Sequence, residues 1–238
     1  MAKGSEHLLL FGASGTIGSA ILEKALIKGW QVTAVSRHKP RIVPAVASWI
    51  ETDPLDAAFS ANDLNASEPY TSVCWAQGAN GNDSIYSVKI EDHLAIYRAN
   101  CVYILITLQA LLAGSFLERG SRLCIISSIW QNLARQSKLS YCMSKAALQG
   151  LVLSTSADLA ADGHLINAVL PGAIDTPMTW RNLSGEQIDR LTLATNFGRL
   201  PQLEDVASLV CYLCSAENTG ITGQFIASDL GYSRVRII

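Results

Sequence analysis

The sequence predicts an α/β fold: a single Rossmann-like doubly wound parallel β-sheet with helices on both faces, formed by one domain spanning residues 1–238. Three observations predict it. Short apolar runs alternate along the whole chain with stretches of helical periodicity. Those runs are nearly continuous in apolar residues, as strands buried on both faces of a parallel sheet must be. A glycine-rich turn also joins the first run to the first helical stretch, the place where doubly wound sheets take ligands.

In chain order, residues 7–11 read as a buried strand and 16–28 as a helix stopped by Gly29. Residues 31–35 form the next strand, and 49–51 a short third one leading to a helix that starts near Pro54. A fourth strand covers 72–76. One long helix, with room for a bend, runs over 91–117. A fifth strand at 122–127 precedes a second long helix at 139–161. A sixth strand covers 165–170, a helix with an acidic start covers 204–215, and 223–227 closes the series. Right-handed crossovers between such elements give a doubly wound sheet with its ligand site at the carboxyl ends of the strands.

Composition narrows the function classes. The 238 residues are 49% apolar and 16% charged, with a net charge of −2. That balance gives no electrostatic reason to expect nucleic acid or an anionic membrane as partner. Residues 1–6 are polar and the run at 8–11 is too short for a secretory core or a membrane span, so the expected compartment is the cytoplasm. Of the six cysteines, Cys211 and Cys214 have the spacing of a metal or redox pair, but no second pair or nearby histidine completes it. They are expected to be reduced core residues, and no metal site is expected.

The turn Gly12-Ala13-Ser14-Gly15-Thr16-Ile17-Gly18 lets the backbone reverse tightly and brings a pyrophosphate to the amides that open the helix. Ser14 stands where the dinucleotide fingerprint has its second glycine. The second strand ends Ser36-Arg37-His38-Lys39, without the acid that would accept from a ribose diol. A 2′-phosphate fits better, held by Arg37 with Ser36 as a neutral donor. NADP(H) is therefore expected over NAD(H).

Tyr141 and Lys145 are four residues apart on a predicted helix, hence on one face and about 6 Å apart along its axis. A phenol of ordinary pKa is a poor proton-transfer group at neutral pH. An ammonium at ~4 Å in a medium of effective dielectric ~20 would favour the phenolate by roughly 4 kcal/mol, about three pKa units.

With Ser128 thirteen residues before Tyr141 and Asn100 in the first long helix, the chain resembles the short-chain dehydrogenase/reductase family, compact subfamily, nearly end to end. The segment Pro171-Gly172-Ala173-Ile174-Asp175-Thr176-Pro177 is similar to the family loop that closes over the nicotinamide. The resemblance implies hydride transfer between NADP(H) and a carbonyl or secondary alcohol. Tyr141 would be the general acid/base, Lys145 would lower its pKa and bind the nicotinamide ribose, and Ser128 would bond the substrate oxygen. Asn100 would hold a water linked to Lys145. It also implies cofactor contacts from Ile17, from Asp53 and Pro54 beside the adenine, from Ala76, Gln77 and Gly78 after the fourth strand, and from Pro171, Gly172, Ile174 and Thr176. Three departures from the family stand out. Thr16 replaces a glycine, Trp75-Ala76-Gln77-Gly78 replaces Asn-Asn-Ala-Gly, and Asp229-Leu230-Gly231 replaces acid-Gly-Gly.

Two other readings follow from the same residues. A sensor or scaffold would bind NADP(H) without turnover, and an epimerase or dehydratase would need a larger substrate region than this chain has. Residues 129–137 and a mobile loop at 178–197 are expected to line the substrate site, with Trp130, Asn132 and Trp180 in the lining and Arg135 or Arg181 available to an anion. Helical stretches 96–112 and 148–159 carry more apolar residues than one sheet face covers, which predicts a homodimer or homotetramer.

Overall fold

A computed structural model describes residues 6–39 and 47–235. Seven strands form one all-parallel sheet: β1 His7–Phe11, β2 Gln31–Ser36, β3 Ala47–Glu51, β4 Tyr70–Trp75, β5 Leu117–Ile126, β6 Leu165–Pro171 and β7 Phe225–Ser228. Their order is β3-β2-β1-β4-β5-β6-β7, so the direction of winding reverses between β1 and β4 and opens a crevice there.

The pleat of β1 shows why its apolar run is continuous. Leu9 and Phe11 point into one core with Trp75, Leu123 and Ile125, and Leu8 and Leu10 point into another with Val32, Cys74 and Cys124. All ten of these side chains are fully buried, at roughly 1.5–3 kcal/mol for each large one. Helices α3 (Tyr103–Ala113) and α4 (Leu139–Asp158) cover the first core, and α2 (Ile90–Tyr97) packs against α4. Helices α1 (Thr16–Ile27) and α7 (Leu203–Cys214) cover the second. Cys211 and Cys214 are buried thiols in that second core, as expected, beside Cys74 and Cys124.

The structure corrects three of the expected elements. No α-helix starts at Pro54: the chain turns there and makes only a 3-10 turn at Ala61–Leu64, capped by Ser60 and Asp63. The long helix expected over 91–117 is interrupted by a π-helical segment, Arg98–Val102, and ends at Ala113. Ser115 takes a left-handed φ of 54°, which turns the chain so that Leu117 already opens β5. The segment expected as a loop at 178–197 is largely helical. Helix α5, Pro177–Asn182, is capped by the Thr176 hydroxyl, and α6, Gly185–Leu193, by a Ser184/Gln187 capping box.

Segment Ile90–Ala113 is long and apolar enough to cross a membrane by length and composition. Its inward face is nevertheless spent on the protein core, where Cys101, Tyr103, Ile104, Leu108 and Leu111 are buried.

Candidate active site

The crevice between β1 and β4 is built by two loops in contact. Gly12 adopts φ 74°, and a Cβ placed on it would fall 2.5 Å from the backbone nitrogen of Gln77. Gly18, in the first turn of α1, passes so close to the Gly12 carbonyl that a Cβ there would lie 2.1 Å from its oxygen. Glycine is therefore required at both positions. The α1 N-terminus has no side-chain cap at Gly15 and no acid in its first turn, so the first amides of Thr16, Ile17 and Gly18 keep their affinity for an anion. Ser14 is exposed in the same turn. A backbone cradle closed by glycines, with uncapped amides, fits a dinucleotide pyrophosphate.

At the end of β2 the two expected phosphate ligands part company. Arg37 is exposed, as a ligand must be. Ser36 is not free: its buried hydroxyl donates to the His38 carbonyl at 2.7 Å and accepts from Trp49 Nε1 at 3.0 Å. The neutral donor expected there has already committed its proton, because β3 brings Trp49 alongside. Asp53 and Pro54 follow β3, and Asp53 Oδ1 accepts from the Leu55 amide at 3.0 Å, forming a local turn. Asp53 and Arg37 both lie near enough to act electrostatically on the Tyr103 phenol, which burial pushes well up.

On the other side of the crevice, Ala76 donates its amide to the Phe11 carbonyl and continues the sheet by one residue. Gly78 sits against the next group of side chains: a Cβ on it would lie 3.0 Å from Asn100 Oδ1 and 3.7 Å from Lys145 Nζ. The π-helical segment turns Asn100 inward. Its Nδ2 donates to the Ala79 carbonyl (3.0 Å) and to Ser144 Oγ (2.8 Å), and its Oδ1 accepts from the Ala79 amide (2.7 Å). The Asn100 side chain thus ties the loop after β4 to α4, and its polar atoms are taken by protein.

Tyr141 and Lys145 share one face of α4. Lys145 Nζ lies 5.8 Å from the Tyr141 ring centre and donates to the Ile126 carbonyl at 2.9 Å. Ser128 ends the crossing from β5, capping the short turn Ile129–Gln131, and its side chain lies close enough to the Tyr141 phenol to lower its pKa. Burial acts on both titrating groups against their charged forms. It pushes the Tyr141 phenol up, opposed by Ser128, and pushes the Lys145 ammonium down to about 8. The ammonium meets the ring of Tyr141, and burial is the largest influence on the phenol.

Pro171 ends β6, and Gly172 packs on Asp229, where a Cβ would lie 2.9 Å from Asp229 Cβ. Ile174 is buried, and Thr176 caps α5 by accepting from the Thr179 amide at 3.2 Å. A small cleft beside Ser128 is lined by Ile129, Trp130, Gly172, Leu191 and Tyr232, with Trp130 and Tyr232 edge to face at 6.5 Å. Of the other side chains expected to line it, Trp180 is exposed with Nε1 on Asp175 at 2.7 Å, Asn132 is exposed, and Arg181 folds back on the Pro177 carbonyl.

Sequence reasoning missed one buried cation. Lys138 opens α4, 5.8 Å from the Tyr141 ring centre, and donates to Asn80 Oδ1 at 2.8 Å and to the Gly81 carbonyl at 3.1 Å. Burial depresses its ammonium too. Its spacing of three residues from Tyr141 was the available signal.

Residues 71–233 match a family model described as enoyl-(acyl carrier protein) reductase. The chain belongs to the short-chain dehydrogenase/reductase family. It is similar to 3-oxoacyl-[acyl-carrier-protein] reductase FabG of Escherichia coli, 26% identical over 91% of this chain and 92% of that protein. It is equally similar, at 26%, to the uncharacterized oxidoreductase YmfI of Bacillus subtilis over 94% and 97%. Among solved structures, a gluconate 5-dehydrogenase from Burkholderia cenocepacia in complex with NADP and tartrate superposes with a TM-score of 0.89 at 19% identity, covering 97% of this chain and 96% of that one. This chain is thus an oxidoreductase of the short-chain dehydrogenase/reductase family with that family's parallel sheet.

Proposed function

We propose that this short-chain dehydrogenase/reductase is an NADP(H)-dependent carbonyl reductase of the cytoplasm, with Tyr141 as its general acid. The observation that carries the reading is that half-buried Tyr141 and buried Lys145 stand side by side on one face of α4, with Ser128 close to the phenol. A buried phenol whose pKa is pushed up stays protonated at neutral pH, and a protonated phenol is what an alkoxide forming from a carbonyl needs. NADPH would supply the hydride. The residues that would hold it are Gly12, Ser14, Gly15, Thr16, Ile17 and Gly18 at the pyrophosphate, Arg37 at the 2′-phosphate, Asp53 and Pro54 at the adenine, and Ala76, Gln77 and Gly78 between. Lys145, Pro171, Gly172, Ile174 and Thr176 would hold the nicotinamide end.

Ser128 and Tyr141 orient the carbonyl oxygen, and the phenol proton passes to it. Lys145, one of the two ammonium groups beside that ring, then favours the phenolate left behind. Asn100 holds the loop and α4 in register.

The relatives named 3-oxoacyl-[acyl-carrier-protein] reductases and the gluconate dehydrogenase neighbours define the first substrates to try: 3-oxoacyl thioesters and keto-sugar acids. The test is NADPH consumption by purified protein against that panel, with Y141F as control. Consumption by wild type alone supports the reading. Tight NADPH binding without turnover of any carbonyl would leave the protein a sensor. We infer in addition a homodimer or homotetramer, because the outward faces of α2, α3 and α4 expose Leu94, Leu105, Met143 and Leu153 at 47–52%.

A further inference from the structure

Lys138 stands beside Tyr141 against three local preferences. Ser137, just before it, takes a left-handed φ of 58°, a conformation that disfavours any side chain. Lys138 then occupies the N-cap of α4 without capping it. A Ser, Thr, Asp or Asn would serve the helix better there, and the helix dipole opposes a positive charge. Its ammonium is also buried, with Arg135 adding a repulsion, and a buried charge is unfavourable unless an opposite charge meets it. The acceptors it meets are neutral: Asn80 Oδ1 at 2.8 Å and the Gly81 carbonyl at 3.1 Å. Asp83, the acid whose charge reaches it, gives both carboxylate oxygens to Ser140, one to the amide at 3.0 Å and one to the hydroxyl.

Holding the chain together does not call for a charge at this position. Asp83 already binds the loop after β4 to the start of α4: its amide donates to the Ser137 carbonyl at 3.2 Å, and its carbonyl accepts from the Leu139 amide at 3.2 Å. A neutral donor would serve Asn80 and Gly81 as well as an ammonium does. What only a cation does here is act on the ring it lies over. Lys138 Nζ is 5.8 Å from the Tyr141 ring centre, the same distance as Lys145 Nζ. Two ammonium groups thus lie within cation–π reach of one phenol. When the phenol gives up its proton, each of them faces a full negative charge, and the attraction grows accordingly.

We propose that Lys138 is a positioning residue for proton transfer, its ammonium acting through Tyr141 by favouring the phenolate that forms as the proton leaves. The inference rests on the reading of Tyr141 as general acid. Lys138 and Lys145 then share the phenolate's charge, and the left-handed Ser137 is what brings Lys138 over the ring. Acting through the phenol, Lys138 needs no contact with substrate or cofactor and no opening to solvent.

The test is steady-state kinetics of K138Q, K138M and K138R with a carbonyl that the wild type reduces, with an NADPH titration and a thermal midpoint for each. K138Q keeps a donor for Asn80 and Gly81 but no charge, K138M keeps only the stem, and K138R keeps the charge. The expected result is a kcat lowered about ten-fold in both neutral variants and largely restored in K138R. KM for the carbonyl, NADPH affinity and the midpoint should stay close to those of wild type. A wild-type kcat in K138Q would overturn the proposal. So would a loss in K138Q carried by KM alone, or a K138R that folds and binds NADPH like wild type yet is as slow as K138M. Wild type that reduces no carbonyl, or Y141F that keeps wild-type turnover, would instead overturn the reading of Tyr141 itself, and this inference with it.

Discussion

Lys145 holds its ammonium 5.8 Å from the centre of the Tyr141 ring while donating to the Ile126 carbonyl at 2.9 Å, one helical turn along α4. The pair is therefore fixed by the end of β5 as well as by helix spacing. Because burial disfavours charge on both, the free protein keeps a protonated phenol beside an ammonium that titrates near 8.

Replacing Tyr141 by Phe removes the transferable proton and leaves the ring packing. Turnover is expected to fall by about 10²–10⁴-fold, with NADPH affinity retained. Steady-state kinetics with a fluorescence titration check this; a variant that keeps most of its turnover would remove Tyr141 from the chemistry.

The lysine carries a stability signature with a definite sign. Below pH 8 its charge is buried at a cost. Between about 8 and 10.5 the folded group has lost its proton while the unfolded one keeps it, so wild-type stability gains with rising pH across that window. K145M should be more stable than wild type at pH 7 by up to about 3 kcal/mol, and the difference should shrink towards pH 10.5. Urea titrations at several pH values read this out, and a pH-independent difference would contradict it. Carbonyl reduction by wild type should decline above pH 8 as the ammonium is lost.

Gly18→Ala places a Cβ against the Gly12 carbonyl oxygen. The strain is expected to cost about 1–3 kcal/mol and to open the pyrophosphate turn, lowering the thermal midpoint and weakening NADPH binding together. Loss of stability without loss of binding would argue against the cradle.

Arg37 is the exposed cation at the end of β2, and Ser36 cannot help it. Arg37→Ala should weaken NADPH by roughly ten-fold or more and leave NADH nearly unchanged, as paired titrations would show. Equal losses for both cofactors would mean that Arg37 does not read the 2′-phosphate.

The exposed apolar residues of α2, α3 and α4 predict association. Light scattering at micromolar concentration should give twice or four times the mass of the chain, and a charge in place of Leu105 or Leu153 should lower it. A monomer in wild type would contradict the proposal.

What the sequence by itself determined was local or periodic. Continuous apolar runs specified strands buried on both faces, glycine spacing marked the turn after β1, and the four-residue interval put Tyr141 and Lys145 on one helix face. Those features depend on neighbours within a few residues. The π-helical break at Asn100 leaves no mark in the periodicity, and Thr176 and Ser184, whose caps make 177–193 helical, are residue types that a loop carries just as well. Only the tertiary structure decided the states of the side chains. Trp49 reaches Ser36 because β3 pairs with β2, and burial by the assembled fold is the largest influence on the pKa values of Tyr141 and Lys145. The Gln77 backbone is held against Gly12, far away in sequence, and its buried side chain finds no partner. Desolvation and hydrogen-bond satisfaction depend on everything that surrounds a group, and that surrounding exists only once the sheet is assembled.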